Sequence, residues 1–185
     1  MPAPLRVPPG QRVTRSFPVM HVGEPPAFDA RTWDLRIGGA VERSFRLAWD
    51  EYRALPRAAR DVDLHCVAGW SRLDNRFEGV VLRDLLGRAG LRADARFVRF
   101  TDGRHYHTTI PIDLALDDST ILADTLDGRP LDLDHGAPLR AIVPRRYAFK
   151  SCKWLRTIEV LAVDRPGFWE SRGIVADVEL PSGSR

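Results

Sequence analysis

Lysine is almost missing from this chain of 185 residues: among 28 basic residues, only Lys150 and Lys153 are not arginine, and they flank Cys152. Cysteine is equally scarce. Cys66 and Cys152 do not make a disulfide framework, so neither is expected to act as a structural staple. No stretch approaches the ~18 apolar residues of a membrane-spanning helix, and no span is expected. The Pro-rich start, MPAPLRVPPGQRVTRSFPV, has no apolar h-region and no twin-arginine pair ahead of one. The expected location is therefore the cytoplasm, or the periplasm where a leader precedes these residues. The charge is mildly basic, +3 with a pI of about 9.2, but acidic residues are interleaved with the arginines and no basic stripe stands out. That pattern argues against a nucleic-acid partner. CxxC, HExxH, CxxCH and an iron–sulfur cysteine set are all absent, which removes the usual signals for zinc, haem and clusters.

What is present reads as short strands with few helices. Residues 1–16, with four prolines, predict an extended arm. Trp33–Ile37 alternates apolar and polar, Gly38-Gly39 signals a turn and Phe45–Leu47 resumes the alternation, which predicts a hairpin. Ala48–Leu55 predicts a short helix stopped by Pro56, and Val62–Val67 a strand that presents His65 and Cys66 near its end. GWSRLDNRFEG reads as a loop. Val80–Ala89 carries a helical apolar stripe with Gly90 as its C-cap. Strands are predicted at 97–100, 106–110, 121–126, 139–143 and 155–163, a helical turn at 111–116 and a tight turn at Asp127-Gly128. Strands and helices out of βαβ alternation predict an α+β fold with mixed or antiparallel sheets. The expected organisation is the arm 1–16, one domain over 17–170 and a tail over 171–185.

Two features carry chemistry. Cys66, at a strand end opening into a loop, can serve as a soft metal ligand, a nucleophile or a small buried hydrophobe. With His65, His105 and His107 it offers zinc-ligand residue types, but adjacent His65 and Cys66 point to opposite faces of a strand. A Cys–His hydrolase needs a base within reach of the thiolate, and five histidines leave that open. The second feature is Arg140, Arg145, Arg146, Lys150 and Lys153 within 14 residues, with Ser151 among them. This reads either as an anion cradle, with forked arginines and compact ammonium groups, or as a solvated basic loop at a sheet edge.

Three separated motifs, in order, resemble the molybdopterin-binding domain of the sulfite oxidase family: LHCVAGWSRLDNRFEGVVLRDLL (64–86), DHGAPLRAIVP (134–144) and FKSCKWLRTIEVL (149–161). The likeness runs from about Phe17 to Glu170 and is nearest the single-domain bacterial branch that includes methionine-sulfoxide reductase catalytic subunits. The resemblance implies that Cys66 gives its thiolate to molybdenum and that His135, Arg140, Ser151, Cys152 and Lys153 hold the pterin or its phosphate. It offers a reason for Lys153 and leaves Lys150 as a phosphate partner or a surface residue. It places Thr101 or Asp102 near the cofactor, Tyr106 near the metal's oxo group and Arg72 toward an anionic substrate. FPVMH stands where relatives carry a cofactor segment richer in Asn and Tyr. His21 is the candidate contact there, and Met20-His21 departs from the pattern.

The resemblance further implies a molybdenum–molybdopterin cofactor and two-electron oxygen-atom transfer with a small-molecule oxo donor or acceptor. With no cysteines left for a haem or cluster, electrons need a separate partner, for which a haem protein is the family's precedent. The alternative is a non-catalytic module that binds a pterin or another phosphorylated ligand on the same fold.

Overall fold

The computed structural model describes residues 6–174 and Leu180; the first five residues of the predicted arm, and 175–179 and 181–185 of the predicted tail, lie outside the described residues. The described residues form eleven strands in two mixed sheets. The first holds β1 (Arg12–Val13), β4 (Ala58–Cys66), β5 (Trp70–Val81), β8 (Ile121–Leu126), β9 (Arg129–Pro130) and β10 (Arg140–Ile142). The second runs β3 (Phe45–Ala48), β2 (Asp34–Gly39), β11 (Thr157–Leu161), β6 (Phe97–Thr101), β7 (His107–Pro111). Among the described residues only the β1–β5 and β11–β2 pairs are parallel. Three short helices, α1 (Trp49–Arg53), α2 (Leu82–Ala89) and α3 (Ile112–Leu116), complete the α+β fold. Among the described residues no helix is long and apolar enough to cross a membrane.

The hairpin, the short helices and most strands lie where the sequence predicts them, with ends shifted by a residue or two, but β4 begins four residues ahead of the predicted Val62, and the two-residue strands β1 and β9 are not predicted. The segment GWSRLDNRFEG departs further: from Trp70 it belongs to β5, the longest strand. Its polar residues suggest a loop, but Ser71 and Asn75 are buried and bonded inside the sheet while Asp74 and Arg76 face solvent. Asn75, fully buried, donates to the Val62 and Arg72 carbonyls at 2.7 Å each. Gly79 allows β5 to close on β8, because a Cβ there would sit 1.8 Å from the Leu122 carbonyl oxygen.

The first sheet is covered on both faces. Leu122 belongs to the larger apolar cluster, shared with the second sheet and the helices, while its neighbours Ile121 and Ala123 belong to a smaller one with Cys66, Trp70 and Phe77. Strand alternation produces this division. It also puts Arg140 on the same face of β10 as Ile142, toward the smaller cluster. The sheet therefore delivers a cysteine and an arginine to the same side.

Candidate active site

A cavity of about 550 Å³ opens over that side, lined by Cys66, Tyr106, Arg140, Ser151, Lys153 and His21 together with a largely apolar wall. The wall comes from Phe17–Val22, Ala148-Phe149 and Trp169 with Ile174, joined by Val67, Trp70 and Trp154. Cys66 is the last residue of β4 and is only 8% exposed. Burial pushes its thiol up, and the Ala68 N–H pulls the other way. A lone thiol here stays protonated at neutral pH, and a soft metal would displace the proton.

Arg140 is the least conventional group in the site. It is 2% exposed, yet its guanidinium donates only to carbonyls, that of His135 at 2.8 Å and that of Ser151 at 3.2 Å. Its buried Nε has no partner, and no carboxylate pairs with it among the described residues. Burial pushes its pKa down to about 10. A buried cation without a counter-charge is costly, and it favours an anion in the adjoining space. Lys153 reinforces it: the ammonium donates to the Asp134 carbonyl at 2.5 Å, and burial, then the neighbouring Arg140 charge, push it down to about 8. Gly136, at φ 113°, lets the 135–140 turn close on this lysine, since a Cβ would lie 3.0 Å from Arg140 Cβ and 3.2 Å from Lys153 Cβ. Trp154 holds a left-handed φ of 51° at the cavity wall, a conformation that costs a non-glycine residue about 1–3 kcal/mol and concentrates at functional sites.

Tyr106 donates its hydroxyl to the Phe149 carbonyl, and burial holds the phenol well above its ordinary range, so it is a neutral donor at pH 7. Asp102 does not line this cavity. Its Oδ1 accepts from the N–H groups of Arg104, His105 and Tyr106 at 2.8–3.0 Å, so it shapes the turn that presents Tyr106. Thr101 likewise accepts from Gly103 N–H at 2.8 Å. His135 stands behind the wall. Its ring stacks on Phe17 at 4.2 Å, Nε2 lies 3.0 Å from the Phe17 carbonyl oxygen, and its own carbonyl holds Arg140. Ser151 accepts from Val143 N–H at 3.0 Å, and Cys152 is fully buried with its thiol pushed up by burial.

Arg72 lies outside the lining and is bound to Asp127 at 2.7 Å and to Asn75. His21 lines the cavity, with Nδ1 2.8 Å from the Gly23 carbonyl oxygen. Lys150 is neither a surface residue nor a cavity residue: it is 6% exposed and paired with Glu170. The sequence did not mark Phe149, Trp169 or Ile174 as wall residues. Trp169 and Ile174 lie outside the three motifs, and Phe149 opens the third one beside residues whose charge and sulfur drew the reading instead.

The profile of the oxidoreductase molybdopterin-binding domain matches residues 21–169. The chain belongs to this family. An uncharacterized oxidoreductase of Bacillus subtilis (strain 168), YuiH, is 41% identical over 169 residues, covering 91% of this chain and 85% of that protein. The protein-methionine-sulfoxide reductase catalytic subunit MsrP of Xanthomonas axonopodis pv. citri is 33% identical over 149 residues. That match covers 72% of this chain but only 45% of the relative. The crystal structure of the sulfane dehydrogenase SoxCD from Paracoccus pantotrophus aligns over 75% of this chain and 40% of its own, with a TM-score of 0.67 at 20% identity, which shows a shared fold. This oxidoreductase domain has residues that fit the family's group: an uncompensated buried arginine, a depressed lysine and a soft sulfur face one cavity.

Proposed function

We propose that this molybdopterin-binding domain is a molybdenum oxidoreductase that carries out two-electron oxygen-atom transfer. The observation that carries the proposal is Arg140, a buried cation with only carbonyl partners, opening on the same cavity as Cys66. In this reading Arg140 and Lys153 hold the anionic part of the pterin, and Cys66 gives its sulfur to the metal. When bound, the group supplies a redox-active metal at which an oxygen atom and two electrons are exchanged with the substrate. The protein's part is ligation, orientation and exclusion of water. Tyr106, held by the Phe149 carbonyl, keeps a neutral hydroxyl beside the site, and the apolar wall limits solvent. Cys152 is enclosed by protein, so neither thiol of this chain is free for an iron–sulfur cluster or a thioether-linked haem, and the proposal includes a separate electron carrier.

The test is elemental analysis for molybdenum on protein made in a host that produces the pterin cofactor. It is combined with assays of sulfoxide reduction by a reduced dye and of sulfite oxidation by a one-electron acceptor. Near-stoichiometric molybdenum with turnover in either direction supports the proposal. Molybdenum-free protein that holds a phosphorylated pterin and turns over nothing would replace it with the binding module.

A pH dependence follows from Lys153. Below pH 8 its ammonium is charged whether or not an anion is bound, so Lys153 leaves the affinity for metal-free pterin flat, apart from the proton a metal would displace from Cys66. Above about 8 the free site loses the proton that the bound site keeps, and affinity falls by up to about tenfold per pH unit. The stability of the ligand-free fold has the opposite sign. The folded pKa lies below the unfolded one, so the cost of burying the ammonium is full below pH 8 and fades as pH rises. Pterin retained after gel filtration at pH 7 and pH 9 measures the binding effect, and Lys153→Arg is expected to remove the pH dependence over that range.

A further inference from the structure

Eight large hydrophobic side chains are exposed among the described residues, and four of them, Val19, Met20, Val67 and Trp169, line the cavity just described. Clustering of that kind marks a contact surface, whereas single exposed hydrophobics need no explanation. The two sides of the opening are held differently. On the Trp169 side, Phe168 N–H donates to the His107 carbonyl at 2.8 Å, Ile174 N–H donates to the Trp169 carbonyl at 3.1 Å, and Glu170 pairs with buried Lys150. The opposite side is held at its two ends and, between them, by the His21 ring, which packs edge-on against Trp154 at 5.2 Å with Nε2 4.0 Å from Asp134 Oδ1. One end is Phe17, whose carbonyl oxygen lies 3.0 Å from His135 Nε2; the other is Glu24, whose carbonyl accepts from Arg104 at 3.1 Å. Between them, among the described residues, residues 18–23 make no backbone–backbone hydrogen bond. From this span Met20, 50% exposed, reaches inward until its Sδ lies 3.9 Å from Cys66 Sγ.

We propose that Met20 is a specificity-determining residue of this site, standing between solvent and the Cys66 sulfur and setting the size of what reaches it. The substrate part of this inference rests on the function proposed above, whereas the barrier part rests only on the geometry. Methionine suits the role, because an unbranched side chain with three rotatable bonds covers a sulfur without locking the opening. The segment that carries it has no backbone ladder to resist displacement, so the opening is governed by one flexible side chain rather than by movement of a sheet.

The barrier is tested on the full-length chain prepared from cells that cannot make the pterin cofactor. Labelling of Cys66 by iodoacetamide and by the bulkier N-phenylmaleimide is followed across pH. Met20→Ala is expected to raise the high-pH plateau rate about fivefold, equivalent to ~1 kcal/mol of barrier, and more for the bulkier reagent. Met20→Leu, which keeps the volume, is expected to label at the wild-type rate. Cys152, fully buried, reports any global opening by becoming labelled as well. Equal plateaus for wild type and Met20→Ala, a shifted midpoint with an unchanged plateau, or parallel labelling of Cys152 would each overturn the barrier. In molybdenum-loaded protein, Met20→Ala is expected to shift the kcat/KM ratio of an aryl sulfoxide over dimethyl sulfoxide toward the larger substrate, and an unchanged ratio overturns the specificity role. Failure of the two ideas is distinguishable. Protein that takes up no molybdenum sinks the proposed function while the labelling result still decides the barrier, and loaded, active enzyme with unchanged labelling sinks the role of Met20 alone.

Discussion

Cys66→Ser is expected to leave the chain folded and empty of molybdenum. The substitution sits at the end of β4, where the side chain already borders a cavity, so the fold loses little: about 1 kcal/mol, or 2–4 °C in Tm. The metal loses the one thiol that lines the cavity among the described residues. Serine offers a harder oxygen that gives up its proton far less readily than a thiol, and the same burial that pushes the Cys66 thiol up would oppose ionisation of an alcohol even more. Loss of a partner that merely orients a ligand costs about 10–100-fold in metal affinity, so loss of the ligand itself is expected to cost at least about 100-fold. Cys152 cannot replace it, being fully enclosed with its Sγ 3.4 Å from the Lys153 carbonyl oxygen. Arg140 and Lys153 are untouched, so pterin should persist where metal does not. Elemental analysis and fluorescence of the oxidised pterin, measured on the same preparation, read the two separately. Retained molybdenum with retained turnover would remove Cys66 from the metal site.

Cys66 and Arg140 were legible because each falls in a motif, and the motif fixes the residue type even when burial is unknown. The burial itself was not legible. A basic cluster from Arg140 to Lys153 reads as easily as a solvated loop, and only the fold turns Arg140 inward without a carboxylate. β5 was missed for a related reason: Ser71 and Asn75 read as loop residues, yet both are fully buried and their polar atoms are bonded across the sheet. Tertiary pairing overrides local preference there. Arg72, assigned to the substrate side by resemblance, meets Asp127 from a turn 55 positions away, and Met20 meets Cys66 from 46 positions away. Nothing in the spacing of either pair announces the contact.

Removing the Glu170 carboxylate while Lys150 remains is expected to cost about 3–5 kcal/mol, roughly 10 °C in Tm, because it strands an ammonium that has almost no access to water. Lys150 donates to the Thr109 carbonyl at 2.6 Å and to Glu170, and beyond these hydrogen bonds it has only the Phe149 ring, 5.7 Å away, among the described residues. An exposed pair of the same residues would contribute less than about 1 kcal/mol, so the size of the effect reports burial directly. The double variant Lys150→Met/Glu170→Leu removes both desolvation costs together and is expected to recover most of the loss, making it more stable than Glu170→Ala. Thermal unfolding of wild type, both single variants and the double closes the cycle, and a coupling energy below about 0.5 kcal/mol would show the pair to be solvated. Lys150→Arg should not substitute, since a planar guanidinium is larger than the ammonium it would replace in an enclosed site. The two lysines of an arginine-rich chain then have separate explanations. Lys153 is a cation of depressed pKa at the cavity, whereas Lys150 clasps the segment bearing Trp169 to the 148–150 turn, whose Phe149 carbonyl receives the Tyr106 hydroxyl. Loosening the clasp is therefore expected to slacken the cavity wall before it unfolds the sheets.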